Sequence, residues 1–284
     1  MTDFLHTMRA ASEARLTRAR QEVPASLLLE QALATPAPPQ LGLDKRRFEV
    51  IAEFKRRSPA AGILESAARR LDIAAVVRTY AEAGAAVVSV LTEPERFGGS
   101  LQDLRVAADA LRPFGVPAMR KDFLIDPYQV CEARAHGAGG VLVILALVED
   151  PQLARILEIA FRLELFVLLE AFNTGELERA ARIVSMHGSA RSLLVGLNAR
   201  NLHTLEVDAG RLTGLAFHLP AGAPAVAESG IRDGPDAARA AAAGYSLALV
   251  GSALMLSADP GRLLRSLLLH GRKARGERAK AAGS

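Results

Sequence analysis

From residue 48 to about residue 269 one rhythm recurs: a short apolar run, a polar break, then ten or so residues whose apolar positions fall at helical spacing. The runs occupy 48–54, 86–91, 116–119, 140–145, 165–169, 193–197, 224–227 and 247–250. The helix-like stretches are 71–83, 101–111, 127–136, 151–163, 174–184, 209–217, 235–242 and 260–269. Apolar runs this short, set off by turn residues, read as strands buried on both faces. Strands that alternate with helices form a parallel sheet, and eight alternations without an internal break predict that the sheet closes into a (β/α)8 TIM barrel of the α/β class. Pro127, Pro151, Pro235 and Pro260 stand at or near a first helical turn, where a missing amide hydrogen costs little. Gly84, Gly137 and Gly244 stand where a helix gives way to the next strand.

Ahead of the barrel, residues 1–35 alternate apolar and charged positions at helical spacing. Leu5, Met8, Leu16, Leu27, Leu28 and Leu29 form the expected buried stripe, broken at Pro24 and recapped at Ser26. The expected organisation is an N-terminal helical extension at 1–46 packed on the barrel, the barrel at 47–270, and a basic, disordered tail at 271–284. Asp3, Glu13 and Glu22 are mixed with the arginines and no continuous apolar segment follows, so the extension is not read as a secretory signal.

Charge and composition narrow the function classes. The longest apolar run, 140–148, is too short to span a bilayer, so no membrane partner is expected. The formal net charge is +4, but Arg272, Lys273, Arg275, Arg278 and Lys280 against Glu277 place the whole excess in the tail. The body is neutral, and no nucleic-acid partner is expected. A single cysteine, Cys131, leaves no intrachain disulfide and no cysteine metal cluster, and makes the cytoplasm the default location.

The residues that end the apolar runs carry the candidate chemistry. The first run contains Glu53 and is followed by Lys55, Ser58 and Pro59; the second is followed by Thr92 and Glu93, and the third by Lys121. Glu170 ends the fifth, Asn198 and Arg200 the sixth, Glu228, Ser229 and Gly230 the seventh, and Gly251 and Ser252 the eighth. In a parallel barrel these are all carboxyl ends of strands and face one mouth. A single charged strand end is ordinarily a residue leaving the core. Carboxylates, lysines, an asparagine and an arginine gathered together are different, because burying them is unfavourable unless they pair or meet a ligand. The glycine–serine pairs after the last two runs lie where barrels often bind phosphate through backbone amides, which points to a phosphorylated small molecule.

Several segments together carry a family resemblance: Ile51-Ala52-Glu53-Phe54-Lys55 with Ser58-Pro59, Ser89-Val90-Leu91-Thr92-Glu93 with Phe97-Gly98-Gly99-Ser100, and Arg120-Lys121-Asp122-Phe123. Leu169-Glu170, the segment from Gly196 to Leu202, Glu228-Ser229-Gly230-Ile231 and the segment from Val250 to Met255 continue it. On these residues the chain resembles the indole-3-glycerol-phosphate synthases from residue 1 to about 270, with the basic tail outside the match. The resemblance implies a carboxy-lyase of tryptophan biosynthesis. Its substrate would be 1-(2-carboxyphenylamino)-1-deoxyribulose 5-phosphate, converted to indole-3-glycerol phosphate with loss of carbon dioxide and water, with no metal or organic cofactor.

The resemblance also implies roles. Lys121 protonates the sugar carbonyl as the ring closes; Glu170 as base and Lys55 as acid assist dehydration, with the order of the two lysines left open. Glu53 and Glu228 orient the lysines and the substrate amine. Asn198, Arg200 and Ser58 hold the anthranilate carboxylate, Phe123 and Pro59 wall the aromatic ring, and Ser229, Gly230, Gly251 and Ser252 hold the phosphate. The protein is expected to be a monomer or a homodimer.

Some positions depart from the family pattern: Phe172 and Asn173 stand where a histidine and an acid are common, Asn201 where an aspartate is common, and Ala60-Ala61 replace a more polar pair. These put efficiency in question rather than identity. Two other readings compete. A phosphoribosylanthranilate isomerase would resemble a cysteine and aspartate pair at strand ends, whereas Cys131 falls inside an expected helix. A degenerate barrel kept for binding would have lost a charged rim residue, and none is lost.

Overall fold

The computed structural model describes residues 3–44, 46–58, 62–63, 72–187, 193–201, 204 and 206–282. Each of the eight apolar runs becomes a strand: β1 Glu49–Phe54, β2 Val87–Leu91, β3 Ala118–Lys121, β4 Gly140–Ile144, β5 Phe166–Ala171, β6 Leu193–Asn198, β7 Ala225–Glu228 and β8 Leu247–Val250. They pair in chain order, every pair parallel, and β8 closes on β1 with Glu49 opposite Leu247 and Ala52 opposite Val250. A two-residue antiparallel ladder, Arg57–Ser58 with Gly62–Ile63, follows β1.

The helices are α1 Asp3–Glu22, α2 Ala25–Ala34, α3 Ile73–Glu82, α4 Leu101–Leu111, α5 Pro127–Ala135, α6 Asp150–Arg162, α7 Thr174–His187, α8 Gly210–Gly214, α9 Gly234–Ala243, α10 Ser252–Leu256 and α11 Pro260–Ala282. Their starts follow the chain's own signals. Asp72, Ser100, Asp126 and Asp233 each accept a hydrogen bond from an early amide of α3, α4, α5 and α9. Pro127, Pro151 and Pro235 lie in first turns. Gly84, Gly137 and Gly244 have φ of +97°, +84° and +118°, the left-handed conformation that ends a helix without a Cβ penalty. The helix expected over 209–217 is shorter: α8 spans five residues and a single 3-10 turn, Ala216–His218, replaces its second half. Glycines at both ends of α8 lower the helix propensity of that stretch.

The N-terminal stripe is met in part. Leu5, Met8 and Leu28 are buried, and Leu16 and Leu29 pack against the core at half burial. Leu27 is 45% exposed, because α2 turns Leu28 and Ala32 to the barrel. Ser26 lies inside α2 and supplies no cap; Pro24 occupies that position without a side-chain bond.

The expectation of a disordered tail is corrected, because α11 continues through residues 271–282. Three of its arginines bind the floor of the barrel. Arg272 donates to Glu49 at 2.7 Å and to the Phe48 carbonyl at 3.3 Å. Arg275 donates to the Tyr245 carbonyl at 3.0 Å, and Arg278 to that of Ala242 at 3.2 Å. Carbonyls left open at the end of α9 thus give the tail something to fold on.

Candidate active site

The carboxyl ends of the strands surround one cavity of about 480 Å³. Register explains which side chains enter it. Lys121 lies opposite Leu91, Glu170 opposite Gly196, and Asn198 opposite Glu228, so these residues share the inner face of the barrel. Glu53, Lys55, Arg200, Ser229, Gly230, Gly251 and Ser252 line the same cavity. Ser58 is described only through its backbone pairing with Gly62, and its side chain and Pro59 lie outside the described residues.

Two lysine–carboxylate groups line the cavity. Lys55 Nζ lies 2.8 Å from Glu53. Lys121 Nζ donates to Glu170 at 3.4 Å and lies 3.6 Å from Glu228. Asn198 Nδ2 donates to the other oxygen of Glu170 at 2.5 Å, while its carbonyl accepts the Arg200 amide at 3.0 Å. Asn198 therefore orients Glu170 directly. Burial alone would lower Lys121, but Glu170, Glu228 and Glu53 outweigh it and raise its pKa above the ordinary lysine value. For Glu53 burial is likewise the largest influence and would raise it, yet Lys55, Lys121 and Arg200 hold it below the usual carboxylate range. Glu228 moves the other way: burial, with the charges of Glu170 and Glu53, pushes it well up against the opposing pull of Lys121. Neither Glu228 oxygen has a hydrogen-bond partner, although both are buried. A carboxyl so placed is completed by a ligand or by a proton.

Glycine makes room for these groups. A Cβ on Gly196 would run into the Glu228 carboxyl, and one on Gly251 into Glu53 and Lys55. Directly after Glu228, Ser229 and Gly230 take φ of +65° and +80° and line the same cavity. Positive φ at a serine is a strained conformation of the kind that collects at binding sites. Phe123 supplies an aromatic wall, with the rings of Phe4 and Phe97 at 5.9 and 6.2 Å.

Sequence reasoning missed the contribution of α1. Phe4 and Leu5 line the cavity, and Ser12 and Arg15 reach the loop after β3. The available signal was their spacing: Leu5, Met8, Ser12 and Arg15 fall on one helical face, so two polar residues occupy a stripe otherwise set for the core. The departures also find places. Phe172 is buried and lines the cavity. Asn173 forms a reciprocal cap with Glu176, donating at 2.8 Å and accepting its amide at 2.9 Å. The Asn201 amide donates to the Glu206 carbonyl at 2.8 Å. Cys131 lies within α5, buried, and burial pushes its thiol up to about 11, so it offers no strand-end nucleophile or acid. Among the described residues no group of His, Cys, Asp and Glu is placed to hold a metal ion, and no helix is long and apolar enough to cross a membrane.

Comparison with known proteins agrees with this geometry. The family model of Indole-3-glycerol phosphate synthase matches residues 5–267. An indole-3-glycerol phosphate synthase from Parafrankia sp. is 46% identical over 228 residues, 79% of each chain. Another from Beutenbergia cavernae is 43% identical over 253 residues, covering 87% of this chain and 88% of that one. Among solved structures, 3-hexulose-6-phosphate synthase from Salmonella typhimurium overlays with a TM-score of 0.59 at 14% identity, covering 80% of this chain and all of that one, which speaks for the barrel alone.

Proposed function

The chain belongs to the indole-3-glycerol phosphate synthase family, and on that premise we propose that its strand-end lysines and carboxylates close an indole ring. The substrate is 1-(2-carboxyphenylamino)-1-deoxyribulose 5-phosphate and the product indole-3-glycerol phosphate. The observation that carries the assignment is Lys121, whose ammonium lines the cavity 3.4 Å from Glu170 and 3.6 Å from Glu228.

The ring carbon that bears the carboxylate attacks the sugar carbonyl, and Lys121 donates a proton to the carbonyl oxygen as the bond forms. Carbon dioxide then leaves, and the electrons of its bond restore the aromatic ring. Lys55 protonates the hydroxyl that departs as water while Glu170, oriented by Asn198, takes the proton from the neighbouring carbon. Glu53 holds Lys55, and Glu228 faces Lys121 and the substrate amine. Arg200, with Asn198 and Ser58, takes the anthranilate carboxylate, and Phe123 with Pro59 the ring. The loop amides at Ser229, Gly230, Gly251 and Ser252 take the phosphate. The carbon–carbon bond forms as the carbonyl π bond opens, and decarboxylation and dehydration run on the substrate's own electrons with proton transfers from the side chains, so the reaction needs no metal or organic cofactor. The protein works in the cytoplasm as a monomer or homodimer.

The test is to mix the purified protein with this substrate and follow indole fluorescence, against no tryptophan background because the chain has none. Rising fluorescence with equimolar carbon dioxide is expected. Substrate binding with a flat trace would instead make the barrel a binding protein.

A further inference from the structure

The geometry points to Arg15, on the N-terminal helix, as a positioning residue for Lys121. Its guanidinium lies 2.8 Å from Asp122, the residue after Lys121, and 3.5 Å from Glu93 in the loop after β2. Both carboxylates are shut off from solvent, at 3% and 0% exposure. Each in turn holds its own loop. Asp122 accepts from Thr92 at 2.7 Å, from Arg120 at 3.2 Å and from the Phe123 amide at 2.8 Å. Glu93 accepts the amides of residues 95, 96 and 97 at 3.0, 2.7 and 3.0 Å. Arg15 thus adds to the Thr92–Asp122 bond a second tie between the loops after β2 and β3, and brings α1 into it. Beside it Ser12 donates to the Phe123 carbonyl at 2.6 Å and accepts from Gln129 at 2.9 Å, which docks α1 on the turn that follows Lys121.

Burial would raise Asp122, but Arg120 and Arg15 outweigh it and keep the carboxyl below its ordinary value. Without Arg15, two buried carboxylates lose the cation they share. The turn after β3 then relaxes by a shift or by taking up a proton, and either change moves the backbone that aims Lys121. The inference rests on Lys121 being the acid of ring closure. Arg20 provides the control: it pairs with Asp126 at 2.7 Å from the same helix to the same loop, but half exposed and away from Asp122.

The experiment compares Arg15→Met, Arg15→Lys and Arg20→Met by steady-state kinetics on the full chain. Arg15→Met is expected to lower kcat about 100-fold with KM changed by less than about threefold, the mark of misplacement rather than lost binding. Arg15→Lys should fall between, and Arg20→Met should stay within about twofold of the unmodified protein. In a Lys121→Ala background Arg15→Met should cost nothing further, since no acid remains to be placed. An unchanged kcat, a loss confined to KM, an equal loss in Arg20→Met, or a loss that adds in full to that of Lys121→Ala would overturn the proposal. Should Arg15→Met not fold, Arg15→Lys decides alone, and a full kcat there overturns it. An unmodified protein that forms no product would overturn the ring-closing reading itself, and the role of Arg15 with it.

Discussion

At the scale of single residues, Lys121 and Glu228 show one principle acting in two directions. Glu228 is buried and Lys121 partly so, and desolvation disfavours charge on each. Lys121 meets three carboxylates and stays charged, whereas Glu228 meets one lysine and two like charges. The sign matters for pH dependence. A lysine whose pKa is raised by its partners remains an acid at every pH below its ordinary value of 10.5 and loses its proton only above that. The profile of kcat/KM for the unmodified protein should therefore show no alkaline loss from Lys121 through the neutral range. A descending limb centred below about pH 9 would contradict the assignment. The residues that end apolar runs were legible in the sequence because chain order alone sends every strand's carboxyl end to one mouth. Pairings were not. Nothing along the chain says that Asn198 donates to Glu170, because β5 and β6 must first be laid side by side.

At the scale of elements, the strands were readable because both their faces are buried, so each is a continuous apolar run between turn signals. The ends of the chain were harder. Arg15 looks like solvated helix surface until α1 lies against Asp122, and the tail arginines look like a free basic arm until α11 passes under β1 and α9. In both cases the partner is a group left open by an element far off in sequence. The floor contacts of Arg272, Arg275 and Arg278 lie at the end of the barrel opposite the mouth, where such contacts serve stability and not catalysis. Deleting residues 272–284 should lower Tm by about 5 °C or more, as expected for a loss of a few hydrogen bonds to otherwise unpaired carbonyls. The same deletion should leave kcat unchanged. Differential scanning calorimetry with parallel kinetics checks both, and an unaltered Tm would show that the helical tail contributes nothing.

At the scale of the whole molecule, the barrel brings to one cavity groups that lie far apart along the chain, from Glu53 to Ser252. Lys55 pairs with Glu53 and Lys121 stands between Glu170 and Glu228, so each buried charge has an opposite charge beside it. Proton transfer in such a site is governed by which ammonium stands where the carbonyl oxygen develops charge, and Lys121 is that group in this account. The most direct test is the single-turnover rate of indole formation in Lys121→Ala beside the unmodified protein, both saturated with the carboxyphenylamino-deoxyribulose phosphate. Loss of a positioned general acid predicts a rate lower by about 100-fold to 10,000-fold with substrate still bound. A Lys121→Ala rate within about tenfold of the unmodified one would contradict the central role of Lys121 and move the acid of ring closure to another group in the cavity.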